Sequence, residues 1–181
     1  MTASAIDGKT VGARAERAGC DFDELVRTHQ SMVFSLSYHF LHDRETAEEV
    51  AQEVFMALHR HMAEIESPAH AGYWLRKVAA QRSIDEGRRR KRRPQVTLEA
   101  IAEPAAKMEP GDPMLGEVLR RLIATLPESP RMVMVMRYQE DLDPTEIAGL
   151  LEMPLATVKS HLQRSLALLR EKLERRGKGE R

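Results

Sequence analysis

Residues 143–169, DPTEIAGLLEMPLATVKSHLQRSLALL, predict two short helices joined by a tight turn. The first helix carries Ile147, Leu150 and Leu151 on one side, and the turn consists of residues 152–154. Along the second helix, apolar residues recur three and four positions apart, which is the period of one helix face. These residues are Leu155, Val158, Leu162, Leu166 and Leu169. We therefore expect this face to pack against the rest of a small helical domain.

The opposite face of the second helix is polar. Its side chains are Thr157, Lys159, Ser160, His161, Gln163 and Arg164. Such groups donate and accept the hydrogen bonds that reach phosphates and base edges. A short helix, a tight turn and a second helix with a polar face are typical of a helix-turn-helix with a recognition helix. The stretch therefore predicts binding in a DNA major groove.

The composition limits the fold and the compartment. The chain has 181 residues, enough for one medium or two small domains, and only 4% of them are aromatic, which favours a helical core of aliphatic residues. Its 28 basic and 28 acidic residues give no net charge, but nucleic-acid binding depends on how charge is distributed. The single cysteine, Cys20, excludes an internal disulfide, although a redox role stays open. With no long apolar run or signal peptide, we expect a soluble, cytoplasmic protein without membrane insertion.

The first half of the chain predicts a polar tail followed by two helices. Residues 1–19 read as the tail, and a helix follows with Asp21 or Asp23 as its N-cap. Asp43 is expected to cap a second helix over residues 44–61. One side of that helix is polar and mostly acidic: Glu45, Glu48, Glu49, Gln52 and Glu53. This side is either a solvated face or a docking face for a basic protein partner.

A basic and aromatic stretch follows Ser67 and Pro68. We expect a loop over residues 68–72 and then a helix from about Tyr73. Its basic residues are Arg76, Lys77, Arg82, Arg88, Arg89, Arg90, Lys91, Arg92 and Arg93, with only Asp85 and Glu86 against them in the sequence. Tyr73 and Trp74 lie at its start. The run is either a solvated charged surface or a phosphate-binding surface whose rings stack on unpaired bases.

Residues 94–113 contain four prolines and several acidic residues without a helical period, which predicts a flexible linker and a domain boundary. A second helical block begins near Met114, with a turn at residues 127–130 and an apolar helix over residues 131–138. The fold class is therefore all-α, with two small helical domains. The predicted organisation is a tail at 1–19, a first domain at 20–93, the linker at 94–113, a second domain at 114–174 and a charged tail at 175–181.

Motifs for catalysis are missing from the sequence. It has no glycine-rich phosphate loop, HExxH motif or GxSxG elbow. The spacings His39–His42 and His59–His61 differ from the usual i, i+4 ligand pair, so ordinary histidines are favoured over a metal site. We therefore expect a protein that is not an enzyme and has no metal or cofactor.

These features, in this order, resemble a bacterial RNA polymerase sigma factor of the small, two-domain extracytoplasmic-function group. Residues 47–55 (AEEVAQEVF) resemble its polymerase-docking helix, and residues 74–90 (WLRKVAAQRSIDEGRRR) resemble its minus-ten helix. Residues 126–131 (LPESPR), 146–148 (EIA) and 157–160 (TVKS) resemble its minus-thirty-five domain. The resemblance covers about residues 21–173.

The resemblance implies a set of partners and sites. The acidic face named above would dock on the clamp helices of the largest subunit of core RNA polymerase, and the second domain would meet the flap. The melted minus-ten strand would contact Tyr73, Trp74, Arg76, Lys77, Gln81, Arg88 and Arg89, with a flipped base held by residues 68–72. The polar face of the recognition helix would read the minus-thirty-five duplex, the linker would thread toward the polymerase active-site and RNA-exit channels, and an anti-sigma factor is an expected partner.

Several positions depart from the family pattern. Gln81 replaces a usual Asn, which affects the expected minus-ten base preference, and His59 replaces a usual aromatic residue. Glu86 and Gly87 replace apolar residues, so a looser end of that helix is expected. Glu152 stands at the usual turn glycine. Pro154 stands at the usual serine cap, so the cap hydrogen bond should be lost.

Two other functions are compatible with parts of the sequence. A free-standing helix-turn-helix regulator would bind duplex DNA as a dimer without polymerase, but it gives the acidic and the basic-aromatic helices no role. An interaction protein, such as an anti-sigma decoy or polymerase-binding adaptor, would bind core polymerase without promoter preference.

Overall fold

The computed structural model describes residues 21–92 and 113–179, and all regular structure within these ranges is helical. The helices are α1 (Phe22–Leu41), α2 (Arg44–His61), α3 (Pro68–Arg92), α4 (Pro113–Ala124), α5 (Glu128–Tyr138), α6 (Pro144–Leu150) and α7 (Leu155–Gly179), with a short 3₁₀ turn at Met62–Glu64. The predicted tail at 1–19, Cys20, and the predicted linker apart from its last residue, Pro113, lie outside the described residues. The all-α prediction is confirmed.

Side-chain caps fix the first two helices where the sequence predicted them. The carboxylate of Asp21 accepts a hydrogen bond from the Glu24 amide at 3.3 Å, so Asp21 is the N-cap of α1. His42 ends α1 in a left-handed conformation with φ 55°. Asp43 then caps α2 by accepting from the Thr46 amide at 2.8 Å. The sharp corner between the two helices is therefore set by one left-handed residue and one cap.

Helix α3 begins at Pro68, so the predicted loop over residues 68–72 is wrong. The Ser67 hydroxyl accepts a hydrogen bond from the His70 amide at 3.1 Å, and Pro68 occupies the first helical position, where its missing amide hydrogen costs nothing. A Cβ added at Gly72 would lie 3.2 Å from Cε1 of His29. Gly72 therefore lies within a helix, where its lack of a side chain lets the His29 ring pack closely against the backbone.

The second half of α3 is unbroken through Glu86 and Gly87, so the expected loosening is not observed. A Cβ at Gly87 would lie only 3.1 Å from Cε1 of Phe40, whose side chain is fully buried. The absence of a side chain at position 87 therefore lets the end of α1 pack directly on the backbone of α3.

The second block is built around α5. All the side chains of residues 132–136 are buried, which confirms the apolar helix as a core element. However, α5 starts at Glu128, so Glu128 and Pro130 belong to its first turn and the predicted turn at residues 127–130 is too long. Proline is compatible with this position because the first helical amides have no intrahelical partner.

Helix α7 is longer than predicted and turns a slightly different face inward. It reaches Gly179, so the tail predicted at 175–181 is helical over most of its length. Val158 and Leu169 are buried as expected, but Leu155 is 37% exposed and Ser165 is buried. Leu155 therefore does not belong to the inward face of the helix, although its position in the period predicted that it would.

The two blocks pack on one another. Helix α5 contacts both α1 and α3, and α6 contacts α3. Buried side chains of both blocks form one apolar cluster, in which Phe40 and Leu75 of the first block join Met132, Met136 and Ile147 of the second. Among the described helices, none is both long and apolar enough to cross a membrane.

The buried Arg131 side chain stabilises the contact between the two blocks. Its guanidinium donates hydrogen bonds to the Leu126 carbonyl at 2.8 Å, to the Phe40 carbonyl at 3.3 Å and to the Ala124 carbonyl, and it lies 5.2 Å from the centre of the Phe40 ring. These carbonyls belong to the last turn of α1, the last residue of α4 and the turn that follows α4, where intrahelical donors run out. Burial lowers the pKa of Arg131 from its usual value, partly offset by the charge of Glu128.

We expect Arg131→Met to lower the free energy of unfolding by about 3 kcal/mol, because several buried carbonyls lose a charged donor together. Urea unfolding followed by circular dichroism measures the loss. Arg175→Met is the matched control, since the Arg175 side chain is 78% exposed, and it should stay within about 0.5 kcal/mol of the parent. An equal effect of the two substitutions would contradict the role of Arg131.

We expect Asp43→Ala to cost about 1 kcal/mol at neutral pH, because α2 loses its cap. Burial alone would raise the pKa of Asp43, but the hydrogen bonds from Thr46 and the charge of Arg90 together lower it. A carboxylate with a lowered pKa stabilises the fold above its unfolded pKa, near 4, and this stabilisation is lost as pH falls through the lower folded pKa. Urea unfolding at several pH values should therefore show the gap between parent and variant closing below about pH 4. A gap independent of pH would contradict this assignment.

Candidate nucleic-acid and protein interfaces

The helix-turn-helix is present as predicted, with α6, a turn and α7, but the turn spans residues 151–154 and so begins one residue before the predicted 152–154. Asp143 forms a complete capping box at the start of α6, because its carboxylate accepts from the Thr145 and Glu146 amides while the Glu146 side chain accepts from the Asp143 amide. These bonds from the Glu146 and Thr145 amides lower the pKa of Asp143. The start of α6 is therefore firmly positioned.

The turn accommodates both departures from the family pattern. Glu152, at the usual glycine, takes a left-handed conformation with φ 52°. Pro154 offers no side-chain acceptor, but its carbonyl accepts from the Thr157 amide at 2.9 Å and the Val158 amide at 3.2 Å. The backbone thus closes the first turn of α7 without the usual side-chain cap.

All six predicted minus-thirty-five residues lie on α7. Lys159, Gln163 and Arg164 are exposed. Thr157, Ser160 and His161 are half-buried, between these side chains and the inward face. The structure therefore presents a polar strip along α7, open to solvent at its centre.

The predicted minus-ten residues lie along α3 but differ in exposure. Tyr73, Gln81, Arg88 and Arg89 are exposed, whereas Trp74, Arg76 and Lys77 are half-buried. The Trp74 ring is tilted against His61 with 5.7 Å between ring centres. These side chains therefore lie along one helix but differ in their exposure to solvent.

Acidic residues from other elements neutralise much of the basic stretch. Arg82 pairs with Glu53 at 2.7 Å, Arg90 with Asp43 at 3.3 Å and Lys91 with Glu128 at 2.6 Å. Within α3, Arg88 and Arg89 pair with Asp85 and Glu86. Asp85 and Glu86 are the only acidic residues within the stretch itself, and the fold adds Glu53, Asp43 and Glu128. The other three partners are distant in the sequence, so no local pattern identifies them.

Two more ion pairs join α3 to the second block. Lys77 Nζ lies 2.6 Å from Glu152 Oε1, and this hydrogen bond raises the pKa of Lys77. Arg76 Nε lies 3.9 Å from Glu140 Oε2. Burial raises the pKa of Glu140, and the charge of Arg76 opposes that rise. Two predicted minus-ten cations are thus occupied by carboxylates of the second block.

The acidic side of α2 borders an apolar groove of about 890 Å³ between α1 and α2. All five residues of the predicted docking face are exposed. Two of them, Glu48 and Gln52, line the groove. Glu48 is paired with Arg44 at 2.9 Å. His59, at the usual aromatic position, also lines the groove and meets the Phe22 ring edge-on at 5.2 Å.

Sequence reasoning missed the apolar floor of this groove. Phe22, Val26, Phe34, Phe55 and Met56 line it. Met56 is 60% exposed. The sequence did carry one sign of the groove. Met56 is a large apolar residue of α2 that lies off the buried face of that helix. Elsewhere in the residues that the structure describes, no group of His, Cys, Asp or Glu side chains is arranged to hold a metal ion.

Comparison with known families accounts for both blocks. The family described as "Sigma-70 region 2" matches residues 25–93, and the family described as "Sigma-70, region 4" matches residues 116–169. The first match covers most of α1 and all of α2 and α3, and the second runs from α4 through α5 and α6 into α7.

Curated relatives match most of the chain. The RNA polymerase sigma-E factor of Streptomyces coelicolor is 30% identical over 156 residues, covering 84% of this chain and 86% of the relative. The ECF RNA polymerase sigma factor SigW of Bacillus subtilis is 26% identical and covers 84% of this chain and 88% of the relative. For the ECF sigma factor SigE of Mycolicibacterium smegmatis, at 30% identity, the chain spans 61% of the relative's length.

A solved structure shares the fold. The sigma factor RpoE, in complex with the anti-sigma factor NepR from Bartonella quintana, aligns with a TM-score of 0.70 at 17% identity. The alignment covers 85% of this chain and 97% of that one. With both regions matched in order and relatives matched over most of their length, the chain belongs to the sigma-70 family of RNA polymerase sigma factors, in the extracytoplasmic-function group.

Proposed function

We propose that this chain directs core RNA polymerase to promoters through three surfaces with separate tasks. The observation that carries the proposal is the polar strip of α7, presented outward in a chain that matches region 2 and region 4 in order. In this proposal residues 20–93 form the domain that docks on polymerase and opens the minus-ten element, and residues 114–174 form the minus-thirty-five domain. The protein acts in the cytoplasm, as a non-enzymatic factor.

The strip on α7 reads the minus-thirty-five duplex. Lys159, Gln163 and Arg164 are exposed and long enough to reach phosphates and base edges in a major groove. The buried Val158 and Leu169 hold the opposite face of the helix in the domain, so the reading side chains project from a rigid support. A good bidentate contact to one base would contribute about 1–3 kcal/mol of discrimination.

The acidic side of α2, together with the groove between α1 and α2, docks on the clamp helices of the largest polymerase subunit. An amphipathic helix that places apolar side chains in the groove would bury Met56 and the rings around it. The exposed Glu45, Glu49 and Glu53, which lie on α2 outside the groove lining, would face basic side chains of the partner. The second domain contacts the flap of the same enzyme.

The face of α3 captures the melted non-template strand. Tyr73 and Trp74 supply rings for base stacking, and Arg76, Lys77, Arg88 and Arg89 supply positive charge along the strand. Gln81 lies between them. Extruding a base costs a few kcal/mol, which binding of the open strand must offset because no fuel molecule is consumed. A flipped base would meet the helical first turn of α3.

An anti-sigma factor is the proposed regulator. The similar fold of Bartonella quintana RpoE was solved with the anti-sigma factor NepR, and the family resemblance led to the same expectation. The groove between α1 and α2 offers such a partner an apolar surface that core polymerase also needs, so the two would compete for it.

Promoter-selective transcription tests the proposal. Purified core polymerase with this chain should produce transcripts from discrete genomic starts in run-off sequencing. Replacing Lys159 and Arg164 together by alanine should reduce these transcripts about 10- to 100-fold, since base and phosphate contacts are lost. Arg175→Ala, at an exposed site farther along α7, is the control and should leave them unchanged. No selective transcripts with the parent chain would refute the function, and tight duplex binding without polymerase would favour a free-standing regulator.

Loss of the groove surface should weaken polymerase binding. We expect Gln52→Ala with Met56→Ala to reduce affinity for core polymerase at least about tenfold, because central interface positions dominate binding energy. Fluorescence anisotropy of labelled protein titrated with core polymerase measures this. Glu24→Ala, an exposed acidic residue on α1 outside the groove lining, is the control. Equal affinities of the two variants would place the docking surface elsewhere.

A further inference from the structure

The first turn of α7 carries two exposed apolar residues, Leu155 and Ala156. Leu155 is 37% exposed. Within the part of the chain that the structure describes, it belongs to neither apolar cluster, although Met153 and Leu162 on either side of it both pack into one. The helical period predicted an inward position for Leu155, so the fold leaves this side chain without the packing role that the sequence indicated.

These two residues extend the polar strip of α7 by one turn. Leu155 precedes Lys159 by four positions and Ala156 precedes Ser160 by four, which places each pair on the same side of the helix. Side chains of a helix tilt toward its N-terminus, so Leu155 projects toward the end at which α7 begins. In helix-turn-helix proteins, the N-terminal residues of the reading helix contact the base edges. The two apolar residues therefore lie where α7 would enter a major groove.

Thymine is the one base that offers an apolar group in the major groove. Guanine, cytosine and adenine present hydrogen-bond donors and acceptors there, whereas thymine presents its 5-methyl group beside one acceptor. A leucine side chain forms no hydrogen bonds, so contact with a polar base edge would displace water from that edge without replacing its bonds. Contact with a methyl group instead removes apolar surface from water on both sides.

We propose that Leu155 selects a thymine within the minus-thirty-five element by packing against its 5-methyl group. The small Ala156 side chain adjoins Leu155 and lets the backbone of this turn approach the base edges. The inference deepens the proposed function and rests on it, because it takes α7 as the duplex-reading helix. The polar side chains of the strip read donors and acceptors, and Leu155 adds a contact that depends on shape.

Replacing thymine by deoxyuridine tests this contact, because the exchange removes the 5-methyl group and leaves the base pair intact. The template is the strongest promoter that run-off sequencing finds for the parent chain, with each thymine of either strand of its minus-thirty-five element replaced in turn. Titration of labelled promoter DNA with core polymerase carrying this chain measures the affinity.

Three variants give the comparison. Leu155→Ala removes most of the apolar side chain, and Leu155→Met keeps it. Leu168→Ala is the matched control, because Leu168 is 39% exposed on the same helix but lies about 20 Å farther along it. Circular dichroism verifies that each variant is folded, and Leu155→Gln replaces Leu155→Ala, with the same outcomes, if that variant does not fold.

We expect deoxyuridine at one position to weaken binding of the parent about fourfold, which corresponds to the burial of one methyl group. Leu155→Ala should bind the thymine promoter less tightly by a similar factor. The exchange to deoxyuridine should then change its affinity less than about 1.5-fold, since the partner of the methyl group is gone. Leu155→Met and Leu168→Ala should keep most of the parent's loss.

The absence of any such thymine with the parent chain would overturn the proposal. An undiminished loss in Leu155→Ala would do the same, and a lower affinity of that variant for both templates would indicate that Leu155 contacts polymerase instead. Promoter-selective transcription by the parent separates the two levels of inference. If selective transcripts form without a thymine effect, only the Leu155 contact fails, and if none form, the sigma function itself fails.

Discussion

The burial of Phe40 is the constraint on which the arrangement of the chain depends. Its ring packs against α3 at Gly87, where no side chain intervenes, and lies beneath the guanidinium of Arg131. Its carbonyl accepts a hydrogen bond from that guanidinium. The end of α1, the second half of α3 and the start of α5 therefore meet at one residue, and the orientation of the two blocks follows from that meeting.

The distribution of charge explains how a chain with no net charge can bind nucleic acid. Basic residues are concentrated on α3, and several of their partners, Asp43, Glu53 and Glu128, come from separate elements. These pairs satisfy the cations within the chain. The neutral total therefore conceals a local concentration of cations, and nucleic-acid binding depends on that distribution and not on the sum.

Local signals made the helices and the motif predictable, whereas long-range packing did not. Asp21, Asp43 and the period of α7 fixed helix positions because caps and apolar spacing act within a few residues. The stretch at 68–72 was misread because proline and glycine also suit a loop, and the packing of His29 on Gly72 is visible only in three dimensions. The groove at Met56 and the pairing of Lys77 with Glu152 join distant segments, so neither has a linear signature.

Glu152, the left-handed residue in the turn of the helix-turn-helix, affects both the backbone of the turn and the contact with α3. A residue with a side chain at φ 52° stores about 1 kcal/mol of backbone strain that glycine would not. At Glu152 the side chain that causes this strain is also the one that reaches Lys77. A glycine here would relieve the backbone strain and remove the bond to Lys77 in one step, so position 152 couples the conformation of the turn to a contact between the two blocks. One residue therefore sets both the shape of the turn and one of the contacts that join the two blocks.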